Sequence, residues 1–144
     1  MVKIQTQNFN YSKEVENFSK KNFSSGAISS FLGKVKQNSE NGTVSSIDIE
    51  NYMEMTKYQL KIIINDIKKK YFIDDYLIIH RFGKINVGDN IVLILVASKH
   101  RKDSLGATED IINWLKIKAT FWKKENTDKG EFWLDQKPED SLHE

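Results

Sequence analysis

Two long stretches of this chain repeat their apolar residues at three- and four-residue steps, which is the spacing of an amphipathic helix. They are Met53–Tyr71 and Ser104–Ala119. A third, more polar stretch, Tyr11–Lys21, carries a thin apolar stripe of Val15 and Phe18 and predicts a shorter helix. The pattern therefore predicts three helices, separated by segments with a different periodicity.

The segments between those helices alternate apolar and polar residues, or are apolar throughout, as β-strands are. The predicted strands are Val2–Thr6, Ala27–Lys36, Val44–Glu50, Tyr76–Arg81 and Ile91–Ser98, followed by a hairpin of Phe121–Glu125 and Glu131–Leu134. Ile91–Ser98 is apolar on both faces, so we expect it at the centre of a covered sheet. The polar segment Gln37–Thr43 contains Asn41-Gly42, a turn signal, and we expect a mobile loop there. Strands and helices do not alternate strictly, which favours an α+β fold over a doubly wound sheet.

Length and composition narrow the class of protein. With 144 residues the chain is expected to form a single domain, 1–144, in which 136–144 are a polar tail. It has no cysteine, which excludes a disulfide, a thiolate zinc site and a cysteine nucleophile. The three histidines lack metal-ligand spacing, so we expect no metal site. No apolar run is long enough for a bilayer or for a secretory leader, and we expect a cytoplasmic protein without a membrane partner.

Positive charge is concentrated between Ser98 and Glu125, although the whole chain has a formal net charge of only +2. Seven cationic side chains stand in this segment against three acidic ones before Glu125. The cations are Lys99, Arg101, Lys102, Lys116, Lys118, Lys123 and Lys124. Cations grouped near the two ends of a predicted helix suit an anionic small molecule better than a nucleic acid, which calls for a broader basic surface.

Within this segment two groups are candidates for a site. His100 and Arg101 follow a buried strand and precede a helix, a position where phosphate commonly binds. Lys116 lies beside the apolar stripe of its helix, and Lys123 alternates with Phe121 in the next strand, so partial burial could prepare both amines for proton transfer. The alternative interpretation is a helix-end cation that matches the helix dipole and an ordinary basic strand.

Two further basic groups end predicted strands. Lys34 and Lys36 could join the same anion site or be solvated cations. His80 and Arg81 lead into a tight turn at Gly83, and we interpret them as structural.

Several short motifs, in order along the chain, resemble those of one family, the large, catalytic subunit of molybdopterin synthase. They are Gly26-Ala27, Phe31-Leu32-Gly33-Lys34-Val35-Lys36, Glu50 with Tyr52 and Met55, His80-Arg81-Phe82-Gly83, Val87-Gly88-Asp89, Ser98-Lys99-His100-Arg101, Trp114-Leu115-Lys116 and Phe121-Trp122-Lys123-Lys124-Glu125. Each motif alone is weak, but their ordered succession from Gly26 to Trp133 is specific.

The resemblance implies an α/β hammerhead fold with additional antiparallel sheet, and a sulfurtransferase activity. Members of the family make the dithiolene of molybdopterin from cyclic pyranopterin monophosphate, with no permanently bound cofactor. The sulfur would arrive as a thiocarboxylate on the C-terminal Gly-Gly of a small ubiquitin-like subunit. Two large subunits would form a central homodimer within a heterotetramer. The lack of cysteine agrees with this, since any sulfur that the chain transfers must come from another molecule.

The resemblance also implies, position by position, which residues form the site. Lys116 and Lys123 would be catalytic, as groups that transfer protons and stabilise charge. The substrate-binding residues would be Lys34, Val35, Lys36, His100, Arg101, Lys116, Lys123, Lys124, Glu125 and Lys137, the last contributed by a second protomer. We therefore expect these amines and the imidazole of His100 to gather in a single anion-binding pocket.

Two other functions stay open. The chain could be a nucleic-acid-binding module that stacks bases on Phe121, Trp122 and Trp133. It could also be a non-catalytic interaction domain, because Lys36 and Lys137 stand where the family commonly has arginine, and lysine cannot form the bidentate contact.

Overall fold

The computed structural model describes residues 1–117 and 121–134, and in them three helices pack on two β-sheets. The helices are α1 (Tyr11–Lys21), α2 (Met53–Lys70) and α3 (Arg101–Ile117). The strands are β1 (Val2–Gln5), β2 (Ala27–Lys34), β3 (Asn38–Ser39), β4 (Gly42–Asn51), β5 (Ile73–Arg81), β6 (Gly83–Asn86), β7 (Asn90–Ser98), β8 (Phe121–Thr127) and β9 (Gly130–Leu134). The predicted α+β class is confirmed. The predicted polar tail, 136–144, lies outside the described residues.

The first sheet has the strand order β1-β5-β7-β2, with β1 parallel to β5 and the other neighbours antiparallel. β7 has a strand on each side and is buried almost throughout, as its continuous apolar sequence predicts. Ile94 and Val96 pack with residues of α2 and α3 on one face of the sheet. Leu93 and Leu95 pack with Phe18 of α1 on the other face. Helices therefore cover both faces of this sheet.

The second sheet has the order β3-β4-β8-β9, and β6 also pairs with β4. Its core is small and consists of Val35, Val44, Ile47, Ile49 and Ile85. The sequence does not predict β6, because four residues with a single buried side chain carry too little alternation; the strand is held by its pairing of Ile85 with Ile47. The β8–β9 hairpin is confirmed, and its turn is shorter than predicted because pairing continues to Thr127 and Gly130.

Two predicted boundaries differ near the basic segment. α3 begins at Arg101 and not at Ser104. Ser104 is fully buried inside the helix, where its Oγ accepts a hydrogen bond from Ser29 Oγ at 2.8 Å and donates to the Arg101 carbonyl at 3.2 Å. The extra turn therefore makes Arg101 the first residue of the helix.

The end of β2 differs as well. The strand stops at Lys34, where its register with β7 shifts, because the next residue bonds elsewhere. Val35 N–H donates to the Asp89 carbonyl at 3.0 Å, and Gly88 N–H donates to the Val35 carbonyl at 2.8 Å. The following segment, predicted as a mobile loop, contains β3 and turns back tightly into β4.

The described residues bear on two further expectations. No helix within residues 1–117 or 121–134 has both the length and the apolar character to cross a membrane. Across the same residues, no group of three or more His, Cys, Asp or Glu side chains is arranged to hold a metal ion.

Candidate active site

The two predicted catalytic lysines line one cavity, at the place where the two sheets and the last turn of α3 meet. Its volume is about 320 Å³. The wall is formed by Phe31, Leu32, Gly33, Lys34, His80, Ile91, Val92, Ile112, Leu115, Lys116 and Lys123. Five elements contribute to it, so the complete fold is needed to assemble the cavity.

The amines of this cavity come from three different elements. Lys34 is exposed at the end of β2, and Lys116 is exposed in the last turn of α3. Lys123 is half-buried in β8. Because the three like charges repel one another beside an apolar wall, binding an anion there is favourable. We call the site the lysine cavity.

His80 also lines the lysine cavity, which sequence analysis did not anticipate. The side chain is buried (3% exposed), in agreement with the structural role predicted for it. Its ring stacks on Phe121 with the ring centres 3.7 Å apart. Burial, and secondarily the charge of Lys123, lowers the pKa of His80 to about 3, so the imidazole is neutral at physiological pH. One feature of the sequence could have indicated this position. His80 is two residues after Ile78, and alternate residues of β5 face α3.

Val35 and Lys36 occupy different environments just beyond β2. Val35 belongs to the core of the second sheet, and both its backbone groups are hydrogen-bonded to the β6–β7 turn. Lys36 is exposed, two residues beyond Lys34. Neither residue lines the lysine cavity. The predicted contacts of Val35 and Lys36 with substrate therefore stay predictions.

Lys124 lies on the opposite face of β8 from Lys123, as strand alternation predicts. Its Nζ is 3.4 Å from a Glu131 carboxylate oxygen and 3.7 Å from an Asp48 carboxylate oxygen. The same amine lies 5.7 Å from the centre of the Trp133 ring. Lys124 is thus engaged by acidic and aromatic neighbours away from the lysine cavity.

Glu125 returns to the inner face of β8 and is buried (5% exposed). Its Oε1 accepts hydrogen bonds from Ser39 Oγ at 2.8 Å and from Asn41 Nδ2 at 2.9 Å. These contacts hold the β3–β4 hairpin against β8. The geometry gives Glu125 a structural contact, in addition to the substrate contact that the resemblance implies.

His100 and Arg101 stand at the other end of α3 from Lys116. Both are exposed, next to the end of β7. Lys116 is fifteen positions after Arg101 in the helix, which is roughly 22 Å along the axis. One chain therefore brings the amines of Lys34, Lys116 and Lys123 together but does not bring His100 or Arg101 to them, and the imidazole in the cavity is that of His80. Lys137 lies outside the described residues.

A second, larger cavity of about 670 Å³ lies on the outer face of the second sheet. It is lined by Ile49, Glu50, Asn51, Tyr52, Phe82, Gly83, Trp122 and Trp133. The Tyr52 and Trp122 rings meet edge to face, with centres 5.1 Å apart. None of the described residues in its wall is a lysine, so the smaller lysine cavity is the better match for an anionic substrate.

Comparison with known proteins identifies the class to which this fold and site belong. The family model described as MoaE protein matches residues 4–118. The molybdopterin synthase catalytic subunit of Haemophilus ducreyi is 40% identical over 115 residues, which are 80% of this chain and 76% of that protein. The chain therefore belongs to the MoaE family, and the resemblance carried by the short motifs is confirmed.

Solved structures agree with this assignment. The MoaE protein from Burkholderia ambifaria has a TM-score of 0.81 and 32% identity, covering 99% of this chain and 94% of that one. The molybdopterin synthase structure from Staphylococcus aureus has a TM-score of 0.82 and 29% identity, covering 92% of this chain and 96% of that one. The similarity extends over nearly the whole chain, so the mixed α+β architecture is that of the family.

Proposed function

We propose that this chain is the catalytic subunit of a molybdopterin synthase and transfers sulfur to cyclic pyranopterin monophosphate, forming the dithiolene of molybdopterin. The observation that carries the proposal is the placement of Lys34, Lys116 and Lys123 around one cavity. Membership of the MoaE family and the name of the Haemophilus ducreyi relative support the same activity. A cytoplasmic location belongs to the proposal, and cell fractionation tests it.

The chemistry assigned to the lysines follows from their surroundings. The cyclic phosphate of the substrate is an anion, and three amines at an apolar wall supply the opposite charge. Lys116 serves as general acid/base and stabilises charge while sulfur attacks the substrate. Lys123 binds substrate and assists proton transfer from its half-buried position.

The sulfur must come from a second protein, because the chain has no cysteine to carry a persulfide or thiolate. We assign that role to a small ubiquitin-like subunit whose C-terminal Gly-Gly ends in a thiocarboxylate. A thiocarboxylate is itself an anion, so the charge of the lysine cavity suits the donor as well as the acceptor of sulfur. The term catalytic subunit in the relative's name also implies a further subunit.

A second copy of the chain gives His100 and Arg101 a place in this proposal. They stand too far from Lys116 to contact the same small substrate within one chain. We infer that the matching residues of another copy reach the lysine cavity in the proposed homodimer. Mixing an Arg101→Ala chain with a Lys116→Ala chain tests this, because a mixed dimer then has one intact site and regains activity.

Reconstitution tests the proposed function directly. The purified chain is mixed with cyclic pyranopterin monophosphate and a thiocarboxylated small subunit, and the dithiolene product is measured by mass spectrometry. The small subunit with an ordinary carboxylate is the matched control and yields no product. Failure of this chain under conditions in which the Haemophilus ducreyi subunit forms product refutes the catalytic proposal and favours a non-catalytic interaction domain.

The structure counts against the nucleic-acid alternative. Phe121 stacks on His80, so the ring face turned to His80 is not offered to a base. Trp122 and Trp133 share the outer face of the sheet with Asp48, Glu50 and Glu131, as the strand pairing requires. Carboxylates next to stacking residues repel phosphate, which disfavours binding of a polyanion there.

A further inference from the structure

Of the two ring nitrogens of His80, Nε2 is the one that can interact with groups in the lysine cavity. The other ring nitrogen, Nδ1, lies 2.8 Å from the carbonyl oxygen of Arg81. A carbonyl oxygen only accepts hydrogen bonds, so Nδ1 carries the proton. Burial favours the neutral ring, and a neutral ring protonated at Nδ1 has an unprotonated acceptor at Nε2.

Packing fixes the orientation of this ring. Phe121 covers one face at an interplanar angle of 15°. The Arg81 carbonyl, from the next residue of β5, holds Nδ1. The pairing of His80 with Val92 places the His80 side chain on the side of the first sheet that faces the lysine cavity. A side chain held by stacking and by a hydrogen bond is suited to position a neighbour.

Lys123 is the amine placed to use that acceptor. It is two residues from Phe121, so both side chains leave the same face of β8. It is half-buried, whereas Lys34 and Lys116 are exposed and can be solvated by water. Its charge also acts on His80. A hydrogen bond to a partly desolvated ammonium is stronger than one to an ammonium surrounded by water.

We propose that His80 is a positioning residue of the lysine cavity: its imidazole, protonated at Nδ1, offers Nε2 as the hydrogen-bond acceptor that orients the Lys123 ammonium group. A neutral acceptor directs the ammonium without cancelling its charge, so the cavity keeps its attraction for an anion. A carboxylate in the same place would neutralise one of the amines. The consequence for turnover rests on the proposed sulfur-transfer function, but the contact itself does not.

An activity experiment compares two substitutions of His80. His80→Phe keeps the stacking on Phe121 and removes both nitrogens, while His80→Gln restores an oxygen acceptor near the position of Nε2. We expect kcat to fall about tenfold or more in His80→Phe with KM within about twofold, and to recover to within about threefold of the parent in His80→Gln. A His80→Phe enzyme with parental kcat, or equal loss in the two variants, overturns the proposal.

A second experiment reads the contact without any turnover. Nitrogen-15 NMR of the parent chain should show His80 neutral, with the proton on Nδ1, throughout pH 5–8. In Lys123→Met the Nε2 resonance should move toward that of a free, unprotonated imidazole nitrogen, because its donor is gone. Lys124→Met, on the opposite face of β8, is the matched control and should leave the resonance in place.

The two experiments separate the possible failures. If the Nε2 resonance does not respond to Lys123→Met, or responds equally to Lys124→Met, the positioning role is refuted even if the enzyme is active. If the parent chain is inactive in reconstitution but the resonance responds to Lys123→Met alone, the contact is established and the proposed function is what fails.

Discussion

Glu125 and Ser39 are joined by a 2.8 Å hydrogen bond between Oε1 and Oγ, although 86 positions separate them in the sequence. The same oxygen accepts from Asn41 Nδ2, and the carboxylate is buried. The hairpin that these bonds hold begins at Asn38, two residues after Lys36. Since hydrogen bonds to a buried charged group are stronger than those between neutral groups, Glu125 is expected to stabilise the segment next to the lysine cavity.

We predict that Glu125→Ala lowers the free energy of unfolding by about 2–4 kcal/mol, because two hydrogen-bonded groups lose their shared acceptor. Glu125→Gln should cost less, since the amide oxygen can still accept. Glu131→Ala is the matched control: this carboxylate is exposed and paired with Lys124, so its loss should cost at most about 1 kcal/mol. Urea denaturation measures all three, and equal destabilisation by the Glu125→Ala and Glu131→Ala changes would contradict the structural role.

The lysine cavity leads to a prediction about turnover. Lys116→Ala and Lys123→Ala should each reduce kcat for dithiolene formation by about 100-fold or more, because proton transfer and charge stabilisation are lost. Their thermal unfolding should stay close to that of the parent, since Lys116 is exposed and Lys123 only half-buried.

Lys129→Ala provides the control for overall charge. Lys129 is exposed in the β8–β9 turn, so removing it changes the net charge by the same amount as the other two substitutions. We expect its turnover to stay within about threefold of the parent. Near-parental kcat in Lys116→Ala would remove that residue from the catalytic role.

Gly26 packs directly against the backbone of Lys99, in the basic loop before α3. Its N–H donates to the Ser98 carbonyl at 3.0 Å, and a Cβ added to it would collide with the backbone carbonyl of Lys99. Backbone cannot move aside as a flexible side chain can. Gly26→Ala should therefore destabilise the protein by about 1–3 kcal/mol and displace the loop that carries His100 and Arg101.

Circular dichroism during thermal unfolding measures that loss. Gly130→Ala also destabilises, but for a different reason. Nothing lies within 4 Å of a Cβ added at Gly130, whereas its backbone φ of 120° is strained for any residue with a side chain. If Gly26→Ala unfolds at the parental temperature, the close approach to Lys99 is not a constraint.

The parts of this fold that could be predicted from sequence are those whose hydrophobic pattern is unbroken. The continuous apolar run of β7 predicts a central strand, and the spacing in α2 predicts a helix whose first residue, Met53, is found where expected. β6 was missed because its pairing with β4 depends on tertiary contacts and not on alternation. The start of α3 was misplaced because Ser104, a residue typical of helix caps, is instead bonded inside the fold to Ser29.

The candidate site could be predicted only in part, because it also depends on contacts between elements that are distant in the sequence. Family motifs named Lys116 and Lys123, and strand alternation separated Lys123 from Lys124. Alternation along β5 puts His80 on the same face as Ile78, but this pattern does not show that His80 would meet the two lysines, because the contact connects β5 of one sheet to β8 of the other through Phe121. Nor could spacing show that α3 carries Arg101 roughly 22 Å from Lys116, since both belong to one basic segment of the sequence.

The buried imidazole of His80 predicts a specific dependence of stability on pH. The unfolded chain binds a proton at His80 near pH 6.5, whereas burial lowers the pKa in the folded protein to about 3. Between these values the unfolded state holds more protons, so the stability that neutral His80 contributes is fully present above pH 6.5 and is lost as pH falls toward 3. The slope should approach about 1.4 kcal/mol per pH unit at most. Urea denaturation of the parent and of His80→Gln from pH 7 to pH 4 measures this slope. The parent should lose stability more steeply than His80→Gln as the pH falls. His100→Gln, which changes an exposed histidine, is the control and should follow the parent. Parallel curves for the parent and His80→Gln would show that His80 is not held neutral by the fold.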